Sequence, residues 1–279
     1  MYKAKKSLGQ NFLKSEAALR KIIEAGEISQ EDVVLEIGPG KGALTGKLLE
    51  KTGCVIAVEK DRELFEFLKS KFTEQIKSGT LALVRDDILK LQIEDYKLEK
   101  YKIIANIPYN ITGAILKKFL TEEEQPERMV LMIQHDVAKR IMARDGKAKP
   151  RENKSSGVAR SAKSGFRESI LSISVKAYGN PEIVMKVPAR YFSPTPKVDS
   201  AVISINNISR KIFVENKINE DKFWELVRAG FAHKRKKLSS NLKSCTRLPC
   251  AIELGNKRAE ELTLADWINL AKTLNINKK

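Results

Sequence analysis

A glycine-rich segment, Gly38-Pro39-Gly40-Lys41-Gly42, constrains the fold of this chain more than any other feature. It follows the apolar run Val33-Val34-Leu35-Glu36-Ile37, which predicts a buried strand, and it precedes residues 43–51, whose leucines recur with helical spacing. Glycines at such a turn let the backbone approach a ligand closely and adopt conformations that other residues rarely reach. The segment therefore predicts a strand–turn–helix unit of an α/β sheet with a ligand bound where the strand ends.

Segments typical of strands and helices alternate along the first half of the chain. Four further apolar runs predict strands, at residues 55–59, 81–84, 102–105 and 129–133. Segments of helical periodicity stand between them, at residues 62–77 and 111–120. This alternation predicts a parallel sheet with helices on both faces. Residues 170–175 and 201–205 are predicted to add an antiparallel pair of strands at the sheet edge.

After about residue 208 the strand signal stops. Apolar residues at helical spacing predict helices over 221–233 and 259–274. The chain is therefore expected to have an α/β domain over residues 1–208 and a small helical domain over 209–279. Within the first of these, residues 144–167 hold almost no large apolar side chain and predict a mobile basic insertion.

The charge of the chain indicates the class of its partner. The formal net charge is +17 at pH 7, which is typical of proteins that bind a polyanion, most often nucleic acid. The basic residues cluster, in the insertion at 144–167 and in Lys234-Arg235-Lys236-Lys237, which argues against a generic solubilising surface. A solvated helix face is the alternative interpretation of the second cluster.

Cysteine content and hydropathy exclude several other classes. The three cysteines are too few for a disulfide framework and indicate a reducing compartment, so a cytoplasmic protein is expected. Cys245 and Cys250 lie five residues apart with no second ligand pair nearby, so no metal site is predicted. No apolar run approaches the length of a membrane span, so no membrane partner is expected.

Two carboxylates are placed to bind a nucleoside. Glu59 ends the strand after the glycine turn, where a carboxylate can accept hydrogen bonds from a ribose diol. Asp87 follows the third strand and could accept a hydrogen bond from an adenine amino group, or could cap a helix instead.

The glycine turn alone leaves the ligand open. Gly38-x-Gly40-x-x-Ala43 also satisfies the dinucleotide fingerprint. Gly42, however, comes only two residues after Gly40, as in methyltransferases that use S-adenosylmethionine, a ligand without the pyrophosphate that needs a helix N-terminus.

The tetrapeptide Asn106-Ile107-Pro108-Tyr109 follows the strand at 102–105. A carboxamide, a proline that fixes the backbone and an aromatic ring at a strand end are suited to holding a flat, hydrogen-bonding ring such as a purine. The alternative interpretation is that the tetrapeptide only shapes a turn.

Four motifs in this order resemble those of the rRNA adenine dimethylase family, and the resemblance runs from about Lys6 to the C-terminus, interrupted by the basic insertion. The motifs are Gly9-Gln10-Asn11-Phe12-Leu13, Glu36-Ile37-Gly38-Pro39-Gly40-Lys41-Gly42, Asn106-Ile107-Pro108-Tyr109-Asn110 and Phe192-Ser193-Pro194-Thr195-Pro196-Lys197-Val198-Asp199-Ser200. The family includes the KsgA-type small-subunit rRNA dimethyladenosine transferases and the Erm resistance methylases. The segments 231–242 and 262–267 are similar to the KsgA type.

The resemblance implies a Rossmann-like class I methyltransferase fold, a seven-stranded and mostly parallel sheet with a small all-helical C-terminal domain. It implies N6,N6-dimethylation of two adjacent adenosines in the 3′-terminal hairpin loop of small-subunit (16S) rRNA, with S-adenosyl-L-methionine as cofactor. The partner would be the small ribosomal subunit precursor, with a role in its biogenesis, and a monomer is expected.

The resemblance also assigns roles to residues. Those expected to hold the cofactor are Asn11, Leu13, Gly38, Gly40, Glu59, Asp87 and Asn106. In catalysis, the Asn106 carboxamide and the Ile107 carbonyl would accept hydrogen bonds from adenine N6, with Pro108 fixing the loop. Tyr109 and Phe192 would stack on the two faces of the extruded base. Those expected to contact RNA are Lys234, Arg235, Lys236, Lys237, Arg144 and Lys147.

Residues 144–169 depart from the family pattern, and His233 stands where glutamine is common. Two alternatives remain at this point: an Erm-type enzyme that acts on large-subunit rRNA, and a non-catalytic RNA-binding factor of ribosome assembly. A third, an NAD-dependent dehydrogenase, has no catalytic His, Lys or Tyr motif to support it.

Overall fold

The computed structural model describes residues 4–5, 8–96, 98, 100–143, 167–243 and 253–274. The chain divides into two compact units. The first comprises Met1–Ala138 and Gly179–Ser209, and the second comprises Lys139–Tyr178 and Arg210–Lys279. The division after Ser209 falls one residue from the domain boundary that the sequence predicted, between residues 208 and 209. Residues 139–178 group with the second unit, whereas the sequence analysis placed them in the first domain. The assignment of catalysis and RNA binding to separate domains stays a prediction.

A seven-stranded sheet forms the centre of the first unit. Its strands are β2 (Val33–Ile37), β3 (Cys54–Val58), β4 (Leu81–Val84), β5 (Lys102–Asn106), β6 (Arg128–Gln134), β7 (Asn180–Val187) and β9 (Ser200–Asn206). They run in the order β4-β3-β2-β5-β6-β9-β7, and the first five are parallel. Strands buried on both faces need continuous apolar sequence, which is why these runs could be predicted. The strand order reverses between β2 and β5, where open α/β sheets bind their ligands.

Helices cover the sheet. They are α1 (Glu16–Gly26), α2 (Ala43–Leu49), α3 (Arg62–Lys71), α4 (Thr73–Lys77), α5 (Thr112–Thr121) and α6 (His135–Ile141). The predicted helix at 62–77 is thus interrupted at Phe72. Asp61 precedes α3 as its N-cap, and its side chain accepts hydrogen bonds from the Glu63 and Leu64 N–H groups.

The antiparallel edge of the sheet is formed by β9 and β7, and one of its two predicted strands was wrong. Residues 170–175 lie in a helix, α7 (Ile170–Tyr178), and the edge strand is β7, which pairs with β9. The Ser169 hydroxyl accepts a hydrogen bond from the Ser172 N–H at 3.2 Å, as in a helix N-cap. Pro181 lies within β7, which an edge strand tolerates because one side of its backbone needs no partner strand.

The second unit is helical. Besides α7 it contains α8 (Lys211–Asn216), α9 (Glu220–Gly230), α10 (Leu238–Asn241) and α11 (Leu264–Thr273). The predicted helix at 259–274 starts later than expected because Thr263 accepts a hydrogen bond from the Asp266 N–H and caps α11. A Cβ atom at Gly230 would lie 2.3 Å from the Trp267 ring, so this unit packs closely. Among the described residues, no helix is long and apolar enough to cross a membrane.

Candidate active site

A cavity of about 660 Å³ opens at the carboxyl ends of the parallel strands of the first unit. Its walls come from the segments that follow β2, β3, β4 and β5, together with residues 8–14 of the N-terminal segment. Carboxyl ends of neighbouring parallel strands meet at one edge of a sheet, so residues distant in sequence are brought together here. The volume is in the range that small-molecule ligands occupy.

The glycine turn forms one wall of the cavity. Gly38, Gly40 and Gly42 have φ values of 65°, 60° and 72°, in the left-handed region that favours glycine. A Cβ atom at Gly42 would lie 2.5 Å from the Phe72 ring, and one at Gly40 would lie 3.0 Å from the Phe12 ring. Backbone conformation and close packing both explain why glycine stands at these positions.

Glu59 lies at the end of β3 and its carboxylate is largely buried. Its Oε2 accepts a hydrogen bond from the Gly40 N–H at 3.1 Å, and its Oε1 accepts one from the Asp61 N–H at 2.8 Å. Burial raises the pKa of Glu59, although these two hydrogen bonds oppose the shift. The carboxylate is therefore fixed in orientation and lines the cavity next to the glycine turn.

Glu36 is a second buried carboxylate at this site, and the sequence indicated no role for it. It lies in β2, lines the cavity, and only 1 % of its surface is exposed. In the described part of the chain, Glu36 Oε2 has no hydrogen-bond partner. Burial raises the pKa of Glu36 to about 8, and the nearby charge of Glu59 adds to the shift. An unpaired, buried acceptor at the cavity wall is suited to a ligand that carries donors or positive charge.

The raised pKa of Glu36 gives a pH-dependent prediction for the ligand-free protein. The folded state holds a proton on this carboxyl up to about pH 8, whereas the unfolded state releases it near pH 4.5, as an ordinary glutamate does. Because only the unfolded state releases the proton in this range, the wild-type protein loses folding stability progressively as the pH rises between these two values. The free energy of unfolding of Glu36→Gln, relative to that of wild type, should therefore rise from about pH 5 to about pH 8 and stay constant at higher pH.

Urea unfolding midpoints measured at a series of pH values check this prediction. Glu66→Gln is a matched control, because Glu66 is exposed on α3 and outside the cavity. A difference in unfolding midpoint between Glu36→Gln and wild type that does not change with pH would contradict the prediction.

Asp87 lines the cavity and follows β4, which lies two strands from β2 and its glycine turn in the order of the sheet. Its Oδ2 accepts a hydrogen bond from Lys60 Nζ at 2.8 Å, and its Oδ1 accepts one from the Leu89 N–H at 3.1 Å. The ion pair with Lys60 lowers the pKa of Asp87. Asp87 therefore fixes a local turn rather than capping a helix, and it also lines the cavity as an ionised acceptor.

Asn106 stands at the end of β5 and faces the cavity. Its Nδ2 donates a hydrogen bond to the Asn11 carbonyl at 3.1 Å. This bond orients the carboxamide, so that Oδ1 is the atom with which Asn106 can accept a hydrogen bond from a ligand. Pro108 follows with φ −60° and ψ 135°, and it begins the 3₁₀ turn Tyr109–Ile111.

Tyr109 is held by a residue of the second proline-containing motif. Its hydroxyl lies 2.7 Å from Ser200 Oγ, and Ser200 is fully buried at the start of β9. Burial raises the pKa of Tyr109, so the phenol stays neutral. A buried hydrogen bond at one end of the side chain restricts its rotation and fixes the plane of the ring beside the cavity.

The N-terminal segment is attached over the cavity by a short strand pair. The strand β1 (Phe12–Leu13) pairs with β8 (Phe192–Ser193), and the Lys14 N–H donates a hydrogen bond to the Tyr191 carbonyl at 2.8 Å. Asn11 and Leu13, which the family resemblance implied, thereby reach the cavity.

Phe192 corrects one expectation. The family resemblance implied that it stacks on the extruded base, but its side chain is fully buried in the core of the first unit, opposite Leu13. Side chains alternate along a strand, so β8 directs Phe192 inward and Ser193 toward the cavity. Phe192 is not part of the cavity wall.

Four of the residues that were expected to bind RNA do not line the cavity. Lys234, Arg235, Lys236 and Lys237 are exposed in the turn between α9 and α10 of the second unit. Arg144 and Lys147, the insertion at 144–166, Cys245 and Cys250 lie outside the described residues.

A parallel sheet with a ligand cavity at its switch point, a turn with three glycines and an Asn-Ile-Pro-Tyr strand end define a Rossmann-like methyltransferase. The match to the family described as Ribosomal RNA adenine dimethylase covers residues 1–159 and 158–276. The chain belongs to this family, as its motifs predicted.

Relatives match over nearly the whole chain. The Ribosomal RNA small subunit methyltransferase A of Dehalococcoides mccartyi (strain CBDB1) is 37% identical, over 96% of this chain and 87% of the relative. The protein of the same name from Fusobacterium nucleatum is 35% identical, over 97% of both chains.

Solved structures confirm the predicted fold. A dimethyladenosine transferase from Plasmodium falciparum has a TM-score of 0.73 and 26% identity, covering 95% of this chain and 97% of its own. The 23S rRNA methyltransferase ErmE has a TM-score of 0.68 and 22% identity, covering 95% and 100%, and shows the fold alone.

Proposed function

We propose that this protein uses S-adenosylmethionine to dimethylate N6 of two adjacent adenosines in the 3′-terminal hairpin loop of small-subunit rRNA. The observation that carries the proposal is the position of Asn106, whose oriented carboxamide lines the same cavity as Tyr109. Family membership and relatives named as small-subunit methyltransferases support the choice of substrate.

The donor set of the cavity fits S-adenosylmethionine. Glu59 is a buried, oriented acceptor for the ribose hydroxyls, and Asp87 is an ionised acceptor for the adenine amino group. Glu36 adds a buried carboxyl near the glycine turn whose Oε2 has no hydrogen-bond partner in the described part of the chain, and a ligand with a sulfonium and an ammonium group would favour its ionised form. Asn11, Leu13, Gly38 and Gly40 would complete the binding site. When bound, this cofactor supplies a methyl group activated by its sulfonium.

The residues at the end of β5 would prepare the nucleophile. Adenine N6 is a weak nucleophile because its lone pair is delocalised into the ring. Hydrogen bonds from N6 to Asn106 Oδ1 and to the Ile107 carbonyl would localise that lone pair and aim it, with Pro108 fixing the loop. After methyl transfer the amine carries an acidic proton, which it loses readily without a strong base.

Tyr109 would hold the target base. Stacking on an aromatic side chain is worth about 1–3 kcal/mol per base, which helps to offset the few kcal/mol of extruding a nucleotide. The hydrogen bond to Ser200 fixes the ring in place for this contact. Because Phe192 is buried, we assign the stacking to Tyr109 alone.

The basic turn at Lys234–Lys237 would bind RNA phosphates, as would Arg144 and Lys147. All four residues of the turn are exposed, so their charges are available to a polyanion. Phosphate contacts of this kind make affinity fall steeply as the salt concentration rises.

Labelled methyl transfer tests the proposal. The protein is incubated with labelled S-adenosylmethionine and either small-subunit particles or naked large-subunit rRNA, followed by nucleoside analysis. We expect N6,N6-dimethyladenosine in the small subunit only. Label confined to large-subunit rRNA would indicate an Erm-type enzyme, and RNA binding without any transfer would indicate an assembly factor. Either result overturns the proposal.

A further inference from the structure

The pairing of β1 with β8 brings the backbone of Lys14, a residue of the cavity wall, next to the segment that contains Arg190. Lys14 follows β1 and lines the cavity, and its N–H is bonded to the carbonyl of Tyr191. Arg190 immediately precedes Tyr191, and its guanidinium carbon lies 5.4 Å from the centroid of the Tyr191 ring. Strand pairing, rather than proximity in sequence, therefore places these two residues on one edge of the first unit.

Both cations keep their charge available. Lys14 and Arg190 are exposed, and neither forms an ion pair with a carboxylate in the part of the chain that the structure describes. Two other lysines of the cavity wall are engaged: Lys60 is paired with Asp87, and Lys71 Nζ donates a hydrogen bond to the Lys41 carbonyl at 2.9 Å. An exposed cation without a carboxylate can bind an anion without breaking an internal ion pair.

The cavity mouth is also where phosphates would have to lie. An adenosine with its base between Asn106 and Tyr109 keeps its two phosphates outside the cavity, because the backbone of the strand continues on both sides. Asn110, Lys14 and Ser193 line the same cavity as Asn106 and Tyr109. An arginine presents a planar fork of donors that suits a phosphate, and a lysine supplies a compact charge.

We propose that Lys14 and Arg190 form a phosphate-docking edge that binds the RNA backbone flanking the target adenosine. The ligand is the phosphodiester backbone of single-stranded RNA, and the contact is separate from the basic turn at Lys234–Lys237. This inference rests on the proposed function, since it takes the base at Asn106 and Tyr109 as its starting point.

The test compares salt dependence in the full-length protein. Binding of a synthetic RNA hairpin with two adjacent adenosines in its loop is measured over a range of salt concentrations for wild type and for Lys14→Ala/Arg190→Ala. Each phosphate contact to a single strand contributes about 0.7 to the slope of log K against log salt, so we expect the slope to fall by about 1.4. The thermal unfolding midpoint should stay unchanged, because both side chains are exposed.

A matched pair of substitutions separates local contacts from net charge. Lys51→Ala/Lys117→Ala removes two exposed lysines of the same unit that do not line the cavity. An equal loss of slope in this control, or a wild-type slope in Lys14→Ala/Arg190→Ala, would overturn the docking edge. If wild type fails to methylate small-subunit particles, the proposed function fails. If wild type methylates them and the slopes are unchanged, only the docking edge fails.

Discussion

An Asn106→Ala variant should lose about 10²–10³-fold in methyl transfer, the usual cost of removing one oriented hydrogen-bonding group that acts in the transition state. The substitution removes Oδ1, the acceptor that would localise the N6 lone pair, and also the hydrogen bond to the Asn11 carbonyl. The fold should survive, since the lost protein–protein bond is worth about 1 kcal/mol. The turnover number with saturating substrates, measured on small-subunit particles, checks this expectation.

Donor binding provides the control for Asn106→Ala. Glu59, Asp87 and the glycine turn remain in place in this variant, so S-adenosylmethionine affinity measured by calorimetry should fall far less than turnover does. Unchanged turnover would remove Asn106 from the mechanism. A loss of turnover that is matched by an equal loss of donor affinity would reassign Asn106 to cofactor binding alone.

The parallel sheet could be predicted because its strands are buried on both faces. In strands such as β5 and β6, both faces need apolar side chains, so each strand forms one continuous apolar run that can be recognised in the sequence. The glycine turn then marks where β2 ends and α2 begins. Glu59, Asp87 and Asn106 could be placed together for the same reason, since carboxyl ends of parallel strands meet at one edge.

Residues 170–175 show what a short apolar run cannot decide. Isoleucine, leucine, valine and serine in a six-residue run are compatible with a strand or with a buried helix. The hydrogen bond from the Ser172 N–H to the Ser169 hydroxyl decides for the helix, and it involves a residue outside the run. Residues 139–143 and 167–178 were likewise assigned by their position between strands, although they group with the second compact unit.

Side-chain direction accounts for the errors at the site. The motif around Phe192 implied a stacking role, but a motif does not state which face of a short strand a residue occupies, and β8 directs Phe192 inward. Glu36 was overlooked because an acidic residue within a strand is usually taken to point to solvent. In a sheet covered on both faces there is no solvent side, so the carboxyl is buried at the cavity wall.

A Glu59→Gln variant should bind S-adenosylmethionine about 10–100-fold more weakly, since a hydrogen bond to a charged group is worth about 1.5–3 kcal/mol. Two N–H groups, from Gly40 and Asp61, donate to the two carboxylate oxygens. An amide has one acceptor oxygen, so its NH₂ would face one of these donors and the side chain would lose its orientation. Donor titration by calorimetry, with a denaturation curve to verify folding, measures the effect.

The pH dependence of donor binding tests the same residue in a second way. Burial raises the pKa of Glu59, so protonation begins at a higher pH than for an ordinary glutamate. A protonated carboxyl loses its charge and part of its acceptor capacity, so wild-type donor affinity should fall on acidification, and it should fall much less in Glu59→Gln. Glu66→Gln, an exposed change of equal charge on α3, should keep the wild-type affinity and its pH dependence. Wild-type affinity in Glu59→Gln, or the same loss in Glu66→Gln, would show that the buried carboxylate at the end of β3 does not hold the donor.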